Sequence, residues 1–218
     1  MIDELTPIAR YMAHEMTTNA GSPDCRKMAQ LNAVDSTACV NEYFKAPWWR
    51  KLFGQTTPQA CMDMEISSKQ AALMMWGMKV RQNGEWDHKP KLHQKFLSRN
   101  NNSHVWFTYD TTDYYYDIWS NIHYGYVGRA AGFDEDTLLD GAGLEQIGSD
   151  LARGRWPTRA LGIQGLRAWD DASDRESISI GVELFRNLPS GLTASALVTA
   201  IVGDPDLQTR ASTGGAAK

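Results

Sequence analysis

Residues 5–24 read LTPIARYMAHEMTTNAGSPD and carry the strongest structural signal in the chain. Thr6–Pro7 is a favourable helix start, because proline fits the first helical turn. Apolar side chains then recur at the spacing of one helix face, at Leu5, Ile8 and Met12. Glu15 falls on the same face, and the glycine and proline of residues 19–24 end the helix. We therefore predict an amphipathic helix that carries Glu15 near its end, facing a loop.

Helical patterns dominate the rest of the chain. We predict further helices at 25–34, 59–80, 134–151 and 177–185, and a short strand at 105–109. The methionines of the 59–80 helix are expected to fill the core. The predicted class is mainly α, with one catalytic domain over residues 1–190. A small-residue-rich extension follows over 191–218, and its end from Thr209 is expected to be disordered.

The composition is that of a folded globular protein with many aromatic residues. A hydrophobic share of 42% with 22% charged residues excludes the disordered and fibrous classes. Eight Trp and eight Tyr supply more flat rings than a core of this size usually needs, and such rings stack on sugars. The formal net charge of −4 argues against a long nucleic-acid-binding face. Nucleic acid is therefore not an expected partner.

The three cysteines, Cys25, Cys39 and Cys61, fit neither a disulfide framework nor a zinc motif, because their number is odd and their spacing irregular. We expect free thiols, and neither a metal nor a cofactor. The acidic start Met1–Glu4 does not resemble a signal peptide. The longest apolar stretch, residues 192–202, is too short to span a bilayer.

Glu15 and Asp24 are candidates for a catalytic carboxylate pair. Glycoside hydrolysis needs one carboxylic acid that donates a proton and a second carboxylate that positions water or faces the developing positive charge. Glu15 lies near Ile8 and Met12, which shield it partly from water, and the turn at 21–23 can fold Asp24 back over the helix end. In a plainer interpretation Glu15 ends a helix in solvent and Asp24 caps the next helix.

This acid pair resembles the catalytic acids of phage-type lysozymes. In those enzymes a Glu at the end of the first helix is followed, after eight residues, by a second acid and then by a Thr six positions later. The chain departs from this pattern at Gln30, which stands in place of the Thr. The resemblance implies a lysozyme-like helical fold with at most a small β element near the cleft.

A second constellation lies in residues 117–133, which read DIWSNIHYGYVGRAAGF. Together with Trp86–Pro90 and Asp174–Ser177 it resembles the bacterial polymorphic toxin type 44 family. The resemblance implies a toxin used against rival bacteria, delivered by a secretion system or within a larger effector, with a cognate immunity protein as partner. Such chains are also similar to lysozyme-like effectors that type VI secretion delivers to the periplasm of a target bacterium.

Two enzymatic interpretations follow. In the one we favour, the protein is a muramidase-type glycosidase that binds peptidoglycan glycan strands through a wall of side chains. This wall would consist of Trp86, Asp87, Asp117, Asn121, His123 and Tyr124. In the other, the protein is a metal-independent ribonuclease in which His123 is the acid and base, and Lys89 and Arg129 hold the phosphate. A non-catalytic carbohydrate- or partner-binding module is a third interpretation, since the aromatic residues alone would satisfy it.

Overall fold

Helices make up most of the protein. The computed structural model describes residues 2–54, 56–97, 105–142 and 172–212. The helices are α1 (Leu5–Ala20), α2 (Pro23–Asn32), α3 (Ser36–Lys45), α4 (Trp48–Phe53), α5 (Pro58–Val80), α6 (Lys89–Leu92), α7 (Ile118–Ala130), α8 (135–142), α9 (Ala172–Asn187) and α10 (Ala194–Gly203). A π-helical turn, His93–Leu97, follows α6. The mainly α class is confirmed, and residues 143–151 of the predicted 134–151 helix lie outside the described residues.

A three-stranded antiparallel sheet provides the small β element. Strand β1 (Trp106–Tyr109) confirms the strand predicted at 105–109, and it forms a hairpin with β2 (Thr112–Tyr115). Strand β3 (Thr209–Ala211) pairs with the other edge of β2. An isolated bridge joins Asp3 to β1, so the sheet lies beside the start of α1.

The first residues of the predicted disordered tail are ordered. Thr209 begins β3, and the guanidinium of Arg210 donates a hydrogen bond to the carboxylate of Asp113 at 3.0 Å. Asp113 is buried, so this ion pair fixes the strand to the body of the protein. Residues 213–218 lie outside the described residues.

Helix α1 runs through the core. The carboxylate of Asp3 accepts a hydrogen bond from the backbone N–H of Thr6 at 2.8 Å, which satisfies a free donor at the helix start. The buried face of α1 consists of Leu5, Ile8, Ala9, Met12, Ala13 and Met16. This face packs against α7 and α10. Leu197 and Ile201 of α10 are fully buried, so the extension predicted after residue 190 contributes to the core.

Helices α7 and α9 cross so closely that their backbones nearly touch. A Cβ atom placed on Gly125 would lie 2.1 Å from the carbonyl oxygen of Ile178. A Cβ atom on Gly181 would lie 2.1 Å from the carbonyl oxygen of Ile122. Because no side chain fits in that space, the two glycines make the crossing possible. The crossing fixes the orientation of α7, which carries His123.

The prediction of free thiols is wrong for two of the three cysteines. Cys39 of α3 and Cys61 of α5 form a disulfide, with their Cα atoms 5.8 Å apart. Cys25 is free and buried, as predicted. An odd number of cysteines does not exclude a disulfide, because here one cysteine is a buried thiol and the other two are bonded to each other. The bond joins α3 to α5.

Helix α5 confirms the helix predicted at 59–80, but four of its methionines do not fill the core. These side chains are between 49 and 70% exposed: Met62, Met64, Met74 and Met78. The buried residues of α5 are Cys61, Ala72 and Trp76. Among the described residues, no helix combines the length and apolar character needed to cross a membrane.

Candidate active site

Tyr11 and Asn19, which flank Glu15 on one stripe of α1, contact two buried histidines. Residues four positions apart lie one above the other on a helix. The ring of Tyr11 meets the ring of His88 edge-on, with 6.3 Å between the ring centroids. One turn beyond Glu15, Nδ2 of Asn19 lies 2.9 Å from Nε2 of His123. Glu15 lies between Tyr11 and Asn19 on the same stripe of α1.

His88 and His123 form a buried pair of uncharged rings. Their centroids are 4.1 Å apart, and neither residue is more than 1% exposed. Burial, helped by the positive charge of Lys91, lowers the pKa of His88 to about 3. Burial also lowers the pKa of His123 well below its usual value. Neither ring nitrogen of His88 has a hydrogen-bond partner in the described part of the chain, a costly arrangement that points to a functional site.

Glu15 is half buried, and it makes no hydrogen bond or ion pair with the described residues. Its neighbours Met12 and Met16 are fully buried. Burial and the negative charge of Glu15 together raise the pKa of Tyr11 to about 12, so this phenol stays protonated. Glu15 lies five positions before the end of α1, because the helix continues to Ala20. Glu15 has no counter-ion among the described residues.

Asp24 lies in the first turn of α2, which is capped by Ser22 and not by Asp24. Its Oδ2 atom lies 2.5 Å from Nζ of Lys79, and the same ammonium group lies 2.5 Å from Oε2 of Glu85. The two carboxylates raise the pKa of Lys79, so the ammonium group stays charged. Among the described residues, Asp24 and Glu15 share no hydrogen-bond or ion-pair partner.

The ring of Trp86 lies between the ion pair of Asp24 with Lys79 and the buried histidine pair. Nζ of Lys79 lies 5.5 Å from the centroid of the Trp86 ring, and the ring of His123 lies 6.5 Å from it. Trp86 is only 4% exposed and His123 only 1%. Both side chains lie beneath the surface, and their predicted part in a sugar-binding wall stays a prediction.

Two other predicted sugar-binding residues, Asp117 and Asn121, form a polar strip at the start of α7. Oδ2 of Asp117 lies 3.0 Å from Nζ of Lys89. Nδ2 of Asn121 donates a hydrogen bond to Oδ1 of Asp174 at 2.8 Å. Oδ1 of Asp117 is buried and has no partner in the described part of the chain. The side chain of Asp117 is 18% exposed, so the strip reaches the surface of the protein.

The last two predicted sugar-binding residues, Asp87 and Tyr124, have structural partners. The carboxylate of Asp87 accepts hydrogen bonds from the backbone N–H groups of Asn83 at 2.8 Å and Lys89 at 3.1 Å. The hydroxyl of Tyr124 donates to the carbonyl oxygen of Leu138 at 3.3 Å. Asp87 therefore closes the turn between α5 and α6, and Tyr124 joins α7 to α8.

The predicted ribonuclease residues do not converge. His123 is buried in the middle of α7, and Arg129 lies six positions later, where its guanidinium donates to the carbonyl oxygen of Phe133. Lys89 is bound to Asp117, six positions before His123. Twelve residues of helix span about 18 Å, which is too far for groups that must hold one phosphate. The structure does not assemble the predicted ribonuclease site.

The importance of Tyr11, Asn19 and His88 was not recognised from the sequence. The spacing of Tyr11 and Asn19, one turn before and one turn after Glu15, is the signal that could have found them. His88 lies within Trp86–Pro90, a motif that carries the family resemblance, but its burial follows only from the tertiary structure. Gln30, which stands where phage-type lysozymes have Thr, is exposed on α2.

Two surface depressions lie away from these residues. One, of about 340 Å³, lies between α9 and α10, and the other, of about 370 Å³, lies at the end of α1 beside Phe185. Neither is lined by Glu15 or Asp24. In residues 2–54, 56–97, 105–142 and 172–212, no three His, Cys, Asp or Glu side chains are grouped to hold a metal.

The fold and this site define a helical domain in which the helix that carries Glu15 contacts two buried, uncharged histidines through Tyr11 and Asn19. Residues 75–187, about half of the chain, match the family of bacterial toxin 44. The protein belongs to that family, which confirms the predicted toxin membership. The match includes His88, Asp117 and His123, whereas Glu15 and Asp24 lie before it. No curated protein and no solved structure matches the chain.

Proposed function

We propose that this toxin domain hydrolyses the glycan strands of peptidoglycan as a muramidase-type glycosidase, with Glu15 as the general acid. The position of Glu15 carries the proposal. Helix α1 holds it half buried and without an ion-pair partner in the described residues, between Tyr11 on His88 and Asn19 on His123. A general acid needs a carboxyl group that no cation neutralises, because an ion pair would hold it ionised.

Asp24 is proposed as the second carboxylate. Its ion pair with Lys79 suits a group that acts in the charged form, either by positioning water or by facing an oxocarbenium ion. Asp117 and Asn121 are proposed to bind sugar hydroxyl and N-acetyl groups, since both polar side chains lie at the start of α7 and that of Asp117 is 18% exposed. Trp86 and His123 support this surface from beneath.

The disulfide between Cys39 and Cys61 supports a substrate outside the cytoplasm. Disulfides persist in oxidising compartments such as the bacterial periplasm and are rare in the cytosol. Peptidoglycan lies in the periplasm, whereas most RNA is cytosolic. The net charge of −4 also favours a glycan over a nucleic acid. We therefore propose action in the periplasm of a target bacterium after delivery by a secretion system such as type VI, with a cognate immunity protein as inhibitor.

Digestion of purified peptidoglycan tests the proposal. The wild type, Glu15→Gln and the control Glu183→Gln, an exposed glutamate on α9, are incubated with the polymer, and the soluble fragments are analysed by mass spectrometry. We expect disaccharide-peptides from the wild type and Glu183→Gln, and at least about a hundredfold less from Glu15→Gln, which loses the proton donor at nearly constant volume. Circular dichroism and thermal unfolding establish that each variant is folded.

Intact peptidoglycan after incubation with the folded wild type would overturn the proposal, as would full activity of Glu15→Gln. A parallel incubation with RNA covers the ribonuclease alternative. RNA cleavage that is lost in His123→Ala, while peptidoglycan stays intact, would establish that alternative instead.

A further inference from the structure

A cluster of exposed aromatic and basic side chains lies at the junction of α3 and α4, outside the residues that match the family. We call this cluster the aromatic-basic patch, and it consists of Phe44, Lys45, Trp48, Trp49, Arg50 and Lys51. Phe44 is 64% exposed, Trp48 70% and Trp49 50%. Burying large rings is favourable, so rings left this exposed on a folded protein indicate a contact surface.

The charge of the patch is opposite to that of the protein as a whole. No Asp or Glu occurs between Glu42 and Asp63, while Lys45, Arg50 and Lys51 fall in this stretch. The formal net charge of the whole chain is −4. The three cations are therefore concentrated beside the exposed rings, which makes the patch a local site for an anionic partner.

Contacts within the patch hold its cations at the level of its rings. Nζ of Lys51 donates a hydrogen bond to the carbonyl oxygen of Phe44 at 3.1 Å and lies 5.6 Å from the ring centroid of Tyr43. The guanidinium carbon of Arg50 lies 5.7 Å from the ring centroid of Trp49. A partner with a flat surface would therefore contact the rings and the cations at the same time.

The core does not account for the patch. No residue of α3 is buried. The disulfide between Cys39 and Cys61 closes the segment that carries the patch and fastens both of its ends to α5. A segment that is anchored in this way, and whose helix α3 contributes no buried residue, is suited to presenting side chains outward.

We propose that the aromatic-basic patch binds the surface of an anionic phospholipid bilayer. Tryptophan is enriched at membrane interfaces, where the apolar ring and the polar N–H both find partners. Lys45, Arg50 and Lys51 pair with lipid phosphates, while Trp48 and Trp49 enter the headgroup layer. The six residues of α4 rest on this surface without crossing the bilayer. The proposal does not depend on the hydrolase activity.

Co-sedimentation of the whole chain with lipid vesicles tests this surface. The vesicles are phosphatidylcholine alone or phosphatidylcholine mixed with phosphatidylglycerol. The variants are Trp48→Ala with Trp49→Ala, and Lys45→Gln with Arg50→Gln and Lys51→Gln. The matched control is Met74→Ala with Met78→Ala, which removes two exposed apolar side chains from α5 outside the patch. Glu15→Gln serves as a second control for independence from the proposed active site.

We expect the wild type to bind the anionic vesicles more tightly than the neutral ones, and less tightly as salt is added. Loss of the three cations should weaken this binding roughly hundredfold. The tryptophan variant should weaken it at least about tenfold. Both control variants should bind like the wild type.

Three results would overturn the proposal. The first is no binding of the wild type to anionic vesicles, or equal binding to neutral ones. The second is an equal loss of binding in the methionine control. The third is tryptophan-dependent binding to insoluble peptidoglycan without binding to vesicles, which would identify the patch as a glycan surface.

Discussion

Nδ2 of Asn19 lies 2.9 Å from Nε2 of His123, and this contact joins α1 to α7 across 104 positions of sequence. An amide nitrogen only donates, so Nε2 accepts and the ring proton is on Nδ1. Only an uncharged imidazole can accept this hydrogen bond. Burial also favours the uncharged ring, because it lowers the pKa of His123. A residue outside the family match therefore orients a histidine inside it.

Removal of this contact should destabilise the protein. Asn19→Ala is expected to lower the free energy of unfolding by about 1–3 kcal/mol, because it leaves the buried Nε2 of His123 without a partner. The control is Asn41→Ala, an exposed residue of α3, for which we expect a change below about 0.5 kcal/mol. Urea unfolding followed by circular dichroism measures both, and equal stability of the two variants would contradict the contact.

Acid should destabilise the protein through His88 and His123. The pKa of His88 falls from 6.5 to about 3 on folding, so below about pH 6.5 the unfolded chain takes up the proton first. The stability that depends on uncharged histidines is complete above this pH and is lost as the pH falls toward 3. The loss approaches about 1 kcal/mol per pH unit for each histidine. Urea unfolding near pH 7 and near pH 5 measures it.

Two variants test whether this pH dependence comes from the buried histidines. His88→Phe replaces the titrating ring with an apolar ring and should flatten the loss of stability between the two pH values. His14→Gln changes an exposed histidine on α1 and should leave the loss as it is in the wild type. A pH dependence that is identical in His88→Phe and the wild type would show that His88 does not contribute.

The crossing of α7 and α9 should not tolerate a side chain at Gly125. Gly125→Ala is expected to cost about 3 kcal/mol or more, because its Cβ would lie 2.1 Å from the carbonyl oxygen of Ile178. Gly77→Ala on α5 is the matched control, since its Cβ would meet nothing within 4 Å. We expect this control to gain up to about 1 kcal/mol from helix propensity. Thermal unfolding that ranks the variants the other way would refute the close crossing.

Reduction of the disulfide should destabilise the protein. Cys39 and Cys61 are 22 positions apart, and closing a loop of this length stabilises a fold by about 3 kcal/mol. Reductant should therefore lower the melting temperature of the wild type, but not that of the double variant Cys39→Ser and Cys61→Ser. Three reactive thiols in the unreduced, denatured wild type, instead of the single thiol of Cys25, would show that the bond is absent.

The second carboxylate should affect turnover more than binding. Asp24→Asn is expected to lower kcat on peptidoglycan about hundredfold with little change in KM, because it removes a charge that acts on the transition state. Asp63→Asn, an exposed carboxylate of α5, is the control and should retain wild-type kcat. Full activity of Asp24→Asn, alongside an inactive Glu15→Gln, would assign the second role to another group.

Local patterns were enough to predict several elements. Helix α1 follows from Thr6–Pro7 and an apolar repeat, α5 from a long run of helix-forming residues, and β1 from the aromatic and β-branched residues 105–109. Strand β3 was missed because its three residues are ordered by pairing with β2 and by the ion pair between Arg210 and Asp113. Such partners are distant in sequence, and the short strand has no pattern of its own.

The sequence likewise predicted some features of the candidate site, whereas others follow only from the tertiary structure. The sequence alone predicted Glu15 and Asp24 as a carboxylate pair, which stays a prediction, and it indicated the toxin family through residues 117–133, because residue type and spacing carry that information. It did not show that Trp86 and His123 lie beneath the surface, or that His88 is buried with both nitrogens unpaired in the described structure. Burial and pairing arise where His88 contacts Tyr11 of α1 and His123 of α7. They depend on contacts between segments up to about a hundred residues apart, which no local pattern records.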